Sequence, residues 1–303
     1  MSKAVLLTDF GPPEVLKLGD IKIGDPGPTQ IRLAVRFAGV GPTDLAIRSG
    51  HLRNVYPASA GAVLGFEAAG VVDAVGSAVT DVSTGDEVAV FLPGLGGYAE
   101  LVLADYWVRK PPSVDWDAAA ALPSSGEAAV RVLNLLRVAP GETLLLLGGT
   151  GSVGTIATQL AVARGVRVVA AVRPDDFAIA ENLGAIPVEY GKHLADAVRS
   201  AVGRVDAVMD AARASDLETA VELAGGPQRV ITLTNPSAEH LGAALSGPVP
   251  ADIPAALTEA MKQLADGNLI LRDRTVRPLA DAADVHAQLQ AGTLRSKAVL
   301  AVP

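Results

Sequence analysis

The segment TLLLLGGTGSVGTIATQLAVARG, residues 143–165, restricts the fold of this 303-residue chain more than any other. Thr143 to Leu147 is an almost wholly apolar run, which reads as a strand buried on both faces. Gly149, Gly151 and Gly154 follow in G-x-G-x-x-G spacing, and a helix reads from Thr155 to Arg164. A second apolar run, Val166 to Val172, completes a strand–helix–strand unit of about thirty residues. Each glycine has a physical task in such a unit. Gly149 permits a tight turn, Gly151 lets backbone amides approach a pyrophosphate, and Gly154 lets helix and strand pack closely. The helix N-terminus then turns its partial positive charge toward the phosphates. Gly149, Thr150, Gly151, Ser152, Val153 and Gly154 are the expected cofactor loop. The competing reading is a glycine turn that binds nothing.

The unit sits in a longer α/β series. Apolar runs at Val205–Met209 and Val230–Leu233 continue a parallel sheet, and helices are expected at Asp216–Ala224 and Ala251–Asp266. Ser215 and Glu218 have capping-box spacing for the first of these, and Gly267 ends the second. The N-terminal third is different in texture. In QIRLAVRFAGV (Gln30–Val40), Ile31, Leu33, Val35 and Phe37 fall on one face with a period of two, as in a strand. Further strands are expected at Lys3–Thr8, Glu67–Ala74, Glu87–Phe91 and Tyr98–Leu103. After Gly267 the chain returns to β character at Ile270–Val276, then a helix at Asp281–Ala291 and a strand at Lys297–Val302. The organisation is therefore a β-rich domain, residues 1–117 completed by 270–303, with a doubly wound domain of residues 118–269 inserted into it.

The second strand of the unit ends in Arg173, where NAD-selective folds usually carry a carboxylate for the adenosine ribose. A guanidinium there suits a 2′-phosphate and favours NADPH. The alternatives are a solvated Arg173 and a ribose held by Asp175 or Asp176. Tyr190 stands after the next apolar stretch, either stacked near the adenine or at a structural edge.

Composition excludes several classes. The chain has no cysteine, so disulfides, thiolate nucleophiles and sulfur-based zinc sites cannot be built. A formal charge of −8 opposes a general affinity for nucleic acid or anionic membrane. No stretch approaches the roughly eighteen uninterrupted apolar residues of a membrane span. The first residues lack the pattern of a secretory signal, and a cytoplasmic location is expected.

Several segments together resemble the medium-chain dehydrogenase/reductase superfamily. They are AGVGPTDLAIRSG (38–50), LGFEAAGVVDAVGSAVTDVSTGDEVAV (64–90), GGYAELVLAD (96–105), the strand–turn–helix above and AGTLRSKAVLAV (291–302). The resemblance implies a GroES-like β-rich catalytic domain carrying an inserted Rossmann domain, and a homodimer formed through edge strands of the Rossmann sheets, with Gln228–Thr234 as the edge region. Zinc-dependent relatives place a catalytic cysteine and a histidine where this sequence has Gly41 and Phe66, and the four-cysteine lobe is missing between Phe91 and Gly96. The chain is thus similar to the zinc-independent quinone oxidoreductase branch. Without a metal to stabilise an oxyanion, hydride from NADPH suits acceptors that spread their own charge. A quinone, whose product resembles a phenol of pKa about 10, or an α,β-unsaturated carbonyl is the expected small-molecule substrate.

The sequence also departs from that branch. An Asn-Pro-x-Asp segment followed by a tyrosine is typical there; here the residues are Gly41, Pro42, Thr43, Asp44 and then Ala46. A threonine commonly near the nicotinamide falls at Ala128, beside Glu127. Both losses open space and imply a bulkier acceptor, which keeps a specialised enoyl or keto reductase, or a non-catalytic NADPH-binding protein, as alternatives. The candidate catalytic groups are Asp44, Tyr56, Thr43 and Arg48, with Ser124, Ser125 and Glu127 as further polar residues. Asp44 is equally a loop-holding residue through Asx-type bonds, and Tyr56 beside Pro57 equally a wall. Lys297 is a candidate contact to cofactor phosphate or ribose, with a surface role as the alternative, and no set of residues reads as a metal site.

Overall fold

A computed structural model describes residues 1–56 and 58–303, and the chain divides into two units, Met1–Ser124 with Asp273–Pro303 and Ser125–Arg272. The first begins with β1 (Ser2–Leu7), β2 (Leu16–Ile21), β3 (Ile31–Gly39), α1 (Pro42–Arg48), β4 (Glu67–Val75), β5 (Glu87–Phe91), β6 (Leu101–Ala104), β7 (Tyr106–Arg109) and α2 (Trp116–Ala121). The helix α3 (Pro123–Leu136) leads into the second unit. There follow β8 (Thr143–Leu147), α4 (Ser152–Ala163), β9 (Arg167–Val172), α5 (Phe177–Asn182), β10 (Ile186–Glu189), α6 (Leu194–Val202) and β11 (Ala207–Asp210). Then come α7 (Leu217–Leu223), β12 (Val230–Thr232), α8 (Ala238–Leu241), β13 (Ala244–Leu245) and α9 (Ile253–Ala265). The chain returns to the first unit with β14 (Arg274–Pro278), α10 (Ala282–Ala291) and β15 (Lys297–Ala301).

In the first unit β3 organises the sheet. Its alternating apolar residues Ile31, Leu33 and Val35 are buried, its N-terminal half pairs with β6, and its C-terminal half pairs with β15. The strand order is β14-β15-β3-β4-β5-β7, with β6 off this path on β3. The all-alanine stretch of α2, Ala118 to Ala121, is buried against β3 and β4, because small side chains let the helix lie close to the sheet.

The second unit is a six-stranded parallel sheet in the order β10-β9-β8-β11-β12-β13. Leu144, Leu145, Leu146 and Leu147 in β8 have no solvent exposure, as a central strand covered on both faces requires. At about 1.5–3 kcal/mol per fully buried leucine, this strand is a principal stabiliser of the unit. From β8 the chain winds first through β9 and β10, and then crosses back to β11 on the other side of β8. The reversal of winding lies between β8 and β11, and in open parallel sheets ligands bind outside the strand ends at such a point.

Several sequence expectations are corrected. The strand expected at Ile270–Val276 is β14 at Arg274–Pro278, where it pairs in parallel with β15. The helix after the glycine loop begins at Ser152, three residues before the expected Thr155, because Gly151 is already its N-cap. The expected Ser215/Glu218 capping box does not form. Asp216 caps α7 by accepting from the Thr219 amide at 3.0 Å, while Ser215 Oγ donates to Asp210. Gln228–Thr234 is not at a sheet edge either, since β12 is paired by β11 on one side and β13 on the other. The edge strand on that side of the sheet is β13, whose Leu245 is exposed, and β10 is the edge on the other.

Candidate functional site

The cofactor turn runs from β8 into α4. The residue that takes the left-handed conformation is Gly148, with φ +79°, and not Gly149 as the spacing alone implies. Gly149 is required for a different reason: a Cβ there would come within 2.6 Å of Ala170 Cβ on β9. A Cβ at Gly154 would collide with the carbonyl oxygen of Gly148, so the close packing expected of the third glycine holds. No side chain caps α4, whose N-cap Gly151 is extended at φ −68°, ψ 173°. The first-turn amides of Ser152, Val153 and Gly154 have no acceptor within the helix, so they face outward as donors for an anion. A turn that excludes Cβ atoms, joined to an uncapped helix start, fits a pyrophosphate.

Around the turn, Thr150 Oγ1 donates to Asp176 Oδ2 at 3.3 Å, and Arg173 Nη2 reaches the same oxygen at 2.9 Å. Arg173 is therefore exposed but paired, next to the end of β9. Tyr190 is exposed and its hydroxyl donates to the Ala214 carbonyl at 2.6 Å, which ties the end of β10 to the loop after β11. A polar network at the strand ends escapes sequence reading. Asp210 is fully buried at the end of β11 and accepts from Ser215 Oγ at 2.6 Å, Thr232 Oγ1 at 2.8 Å and the Ala212 amide at 3.0 Å. The one available signal is a carboxylate ending the apolar run AVMD. Glu127 is also satisfied within this unit, its carboxylate bound by Arg131 one turn along α3 at 2.7 Å, and both are buried.

The first unit gathers a second set of polar residues. Lys297 Nζ lies 2.6 Å from Glu67 Oε1, and the Ser124 amide donates to Glu67 Oε2 at 2.8 Å. Lys297 is thus buried and ion-paired, so the surface role offered as its alternative does not hold. Asp44 is buried and accepts from the Gly41 amide at 2.8 Å and the Gly65 amide at 2.9 Å, so it both closes the N-terminus of α1 and holds the loop before β4. Burial pushes its carboxyl up to about 6 against the opposing pull of these amides and of Lys297. Tyr56 is half-buried and packs edge-on against Phe66 with ring centroids 5.3 Å apart, while Pro57 beside it lies outside the described residues. Burial raises the Tyr56 hydroxyl above its ordinary value, which keeps it a donor at neutral pH. Thr43 is half-buried on α1.

Arg48 does not join these groups. It is 1% exposed and gives Nη2 to Gln290 Oε1 at 2.6 Å. His286 is buried against Tyr98, whose hydroxyl lies 3.2 Å from its Nε2, and burial drives its pKa down to about 3. His51 is exposed and paired with Ser49. Among the described residues no three His, Cys, Asp or Glu side chains are grouped so as to hold a metal ion, and no helix is long and apolar enough to cross a membrane.

Comparison with known proteins places these features in context. Residues 27–112 match the model of the alcohol dehydrogenase GroES-like domain. The chain is 37% identical over 190 residues to a quinone oxidoreductase of Pseudomonas aeruginosa, an alignment covering 61% of this chain and 57% of that protein. It therefore spans little more than half the length of that relative. It is 31% identical over 232 residues to a 2-haloacrylate reductase of a Burkholderia species, covering 73% of this chain and 70% of the relative. A mycobacterial protein solved as a complex with NADPH superposes with a TM-score of 0.85 at 26% identity, covering 99% of this chain and 100% of that one.

Proposed function

We propose that this chain, which belongs to the zinc-independent, quinone oxidoreductase-like branch of the medium-chain dehydrogenase/reductase superfamily, is an NADPH-dependent oxidoreductase acting on a quinone or an α,β-unsaturated carbonyl. The observation that carries the proposal is the turn from β8 to α4, where Cβ atoms at Gly149 and Gly154 have no room and the helix start is left uncapped. The amides of Ser152, Val153 and Gly154 would hold the pyrophosphate, with Thr150, Arg173 and Tyr190 on the adenosine side. A bound reduced nicotinamide supplies a hydride donor, and the chain has to bind, orient and shield it.

The choice of NADPH rests on Arg173 and on the similarity to a protein solved with that nucleotide. The first unit supplies the polar groups proposed to meet the acceptor, the Thr43 and Tyr56 hydroxyls. Asp44 is a positioning residue, because both its oxygens are engaged by backbone amides that set the loops around it. Arg48, buried on Gln290, is assigned to structure. An activated carbon–carbon double bond gains weight as the acceptor from the relative named a 2-haloacrylate reductase. Small side chains at Gly41 and Ala46 favour a bulky acceptor over a simple benzoquinone. The proposal includes a homodimer located in the cytoplasm, with the edge strand β13 as its pairing strand.

The deciding experiment is a titration with NADPH and NADH, followed by a panel of quinones, enones and enoyl thioesters read by loss of nicotinamide absorbance. Binding of NADPH with oxidation by members of the panel is expected. Tight binding with no acceptor oxidising the nucleotide would reassign the chain as a non-catalytic nucleotide-binding protein. Turnover of simple benzoquinones at rates equal to bulky acceptors would remove the argument for a large acceptor.

A further inference from the structure

Asp176 connects the cofactor turn to the end of β9. Its Oδ2 accepts from Arg173 Nη2 at 2.9 Å, Arg173 Nε at 3.2 Å and Thr150 Oγ1 at 3.3 Å. Of the ion pair, the carboxylate is the shielded member: its side chain is 16% exposed, against 50% for Arg173. The backbone keeps the two together, because the Asp176 amide donates to the Arg173 carbonyl at 2.9 Å across a turn that Pro174 restricts. The guanidinium that suits a 2′-phosphate is thus already engaged by a carboxylate that this turn keeps beside it.

The two nicotinamide nucleotides meet this arrangement differently. A ribose 2′-phosphate carries between one and two negative charges at neutral pH and competes with Asp176 for Arg173, leaving two anions on one guanidinium. A free 2′-hydroxyl is a neutral donor that a carboxylate accepts. We infer that Asp176 is a specificity-determining residue, which weakens binding of the 2′-phosphorylated nucleotide and provides an acceptor for the unphosphorylated one. Arg173 then gives the preference for NADPH and Asp176 limits its size. The inference rests on the nucleotide-binding reading above and assigns a role to a residue that reading leaves unused.

The test is isothermal titration of the full chain with NADPH and with NADH, in wild type, Asp176→Asn, Arg173→Ala, the double variant and Thr150→Ala. Removing the charge at Asp176 is expected to tighten NADPH about fivefold, roughly 1 kcal/mol, and to leave NADH unchanged or weaker. The gain should shrink in high salt, where charges at this exposed site are screened, and should vanish when Arg173 is absent. Thr150→Ala removes both the tether to Asp176 and a hydroxyl on the adenosine side, a loss common to the two nucleotides, and is expected to change both affinities together and their ratio by less than about twofold, roughly 0.4 kcal/mol. Asp176→Ser serves as a second charge-removing variant if asparagine disturbs the turn. Equal changes for both nucleotides in both charge-removing variants would overturn the inference, as would a Thr150→Ala effect on the ratio as large as that of Asp176→Asn. Failure of every variant and the wild type to bind either nucleotide would overturn the nucleotide reading itself. Binding with an unaltered ratio would overturn only the role of Asp176.

Discussion

The Lys297 ammonium and the Glu67 carboxylate form an ion pair of 2.6 Å whose side chains are 7% and 2% exposed. Glu67 begins β4 and Lys297 begins β15, the two strands that flank β3, so the pair bridges neighbours across that strand. The remaining carboxylate oxygen takes the Ser124 amide, and Gly39 leaves the room the carboxylate occupies. Breaking a buried pair leaves one charge uncompensated at a cost of about 3–5 kcal/mol, whereas removing both charges is close to neutral. Lys297→Met should therefore destabilise the chain by that amount in urea unfolding, and adding Glu67→Gln should recover most of it. A loss below about 1 kcal/mol in the single variant, the range of exposed pairs, would show that the pair is solvated.

Asp44 and His286 make opposite contributions to stability between about pH 4 and 6. His286 has a folded pKa of about 3 against an ordinary 6.5, so below pH 6.5 the unfolded chain binds the extra proton and stability falls with falling pH. Asp44 has a folded pKa of about 6 against 3.8, so between these values the folded chain holds the extra proton and stability falls with rising pH. Each contributes at most about 1.4 kcal/mol per pH unit. Relative to wild type, His286→Phe should gain stability as pH is lowered from 6.5 to 4, and Asp44→Asn should lose it from 6 to 4. Melting temperatures of the three proteins across this range provide the check; differences of the same sign in both variants would contradict the burial assigned to these groups.

The three glycines of the turn are not equivalent. Gly154→Ala places a methyl against the Gly148 carbonyl, and Gly149→Ala places one 2.6 Å from Ala170 Cβ, whereas the nearest atom to a Cβ at Gly151 is the Gly148 oxygen at 3.3 Å. Overpacking of this kind costs typically 1–3 kcal/mol. Gly154→Ala should lower stability by such an amount and weaken nucleotide binding, while Gly151→Ala, whose methyl meets a single backbone oxygen at 3.3 Å, should cost less than Gly154→Ala. Calorimetric melting with and without nucleotide separates the two effects.

Asp216, in place of the Ser215/Glu218 pair suggested by spacing, supplies the N-cap of α7. Asp216→Ala should cost about 0.5–2 kcal/mol, and Glu218→Ala, on the exposed first turn, should fall within about 0.5 kcal/mol of wild type. Chemical denaturation of the two variants distinguishes the caps.

Local pattern carried much of this structure. The period of two in Ile31–Phe37, the unbroken apolar run Thr143–Leu147 and the glycine spacing after it each state a local requirement that no other part of the chain has to meet. For that reason β3, β8 and the turn into α4 were readable from their own residues. Absence of cysteine, with Gly41 and Phe66 in the segments where zinc-dependent relatives carry ligands, was likewise a statement of composition and position.

Pairings between distant residues were decided only by the tertiary structure. Lys297 meets Glu67 across 230 positions, Arg48 meets Gln290, and the sheet order that puts β13 and not β12 at one edge follows from how β12 is flanked on both sides. Even Asp176, three residues from Arg173, acquires its place from Thr150 on the preceding turn. A side chain's propensity is local, but its charge and hydrogen bonds are satisfied by whatever the fold brings within about 3 Å, and no one-dimensional spacing determines that.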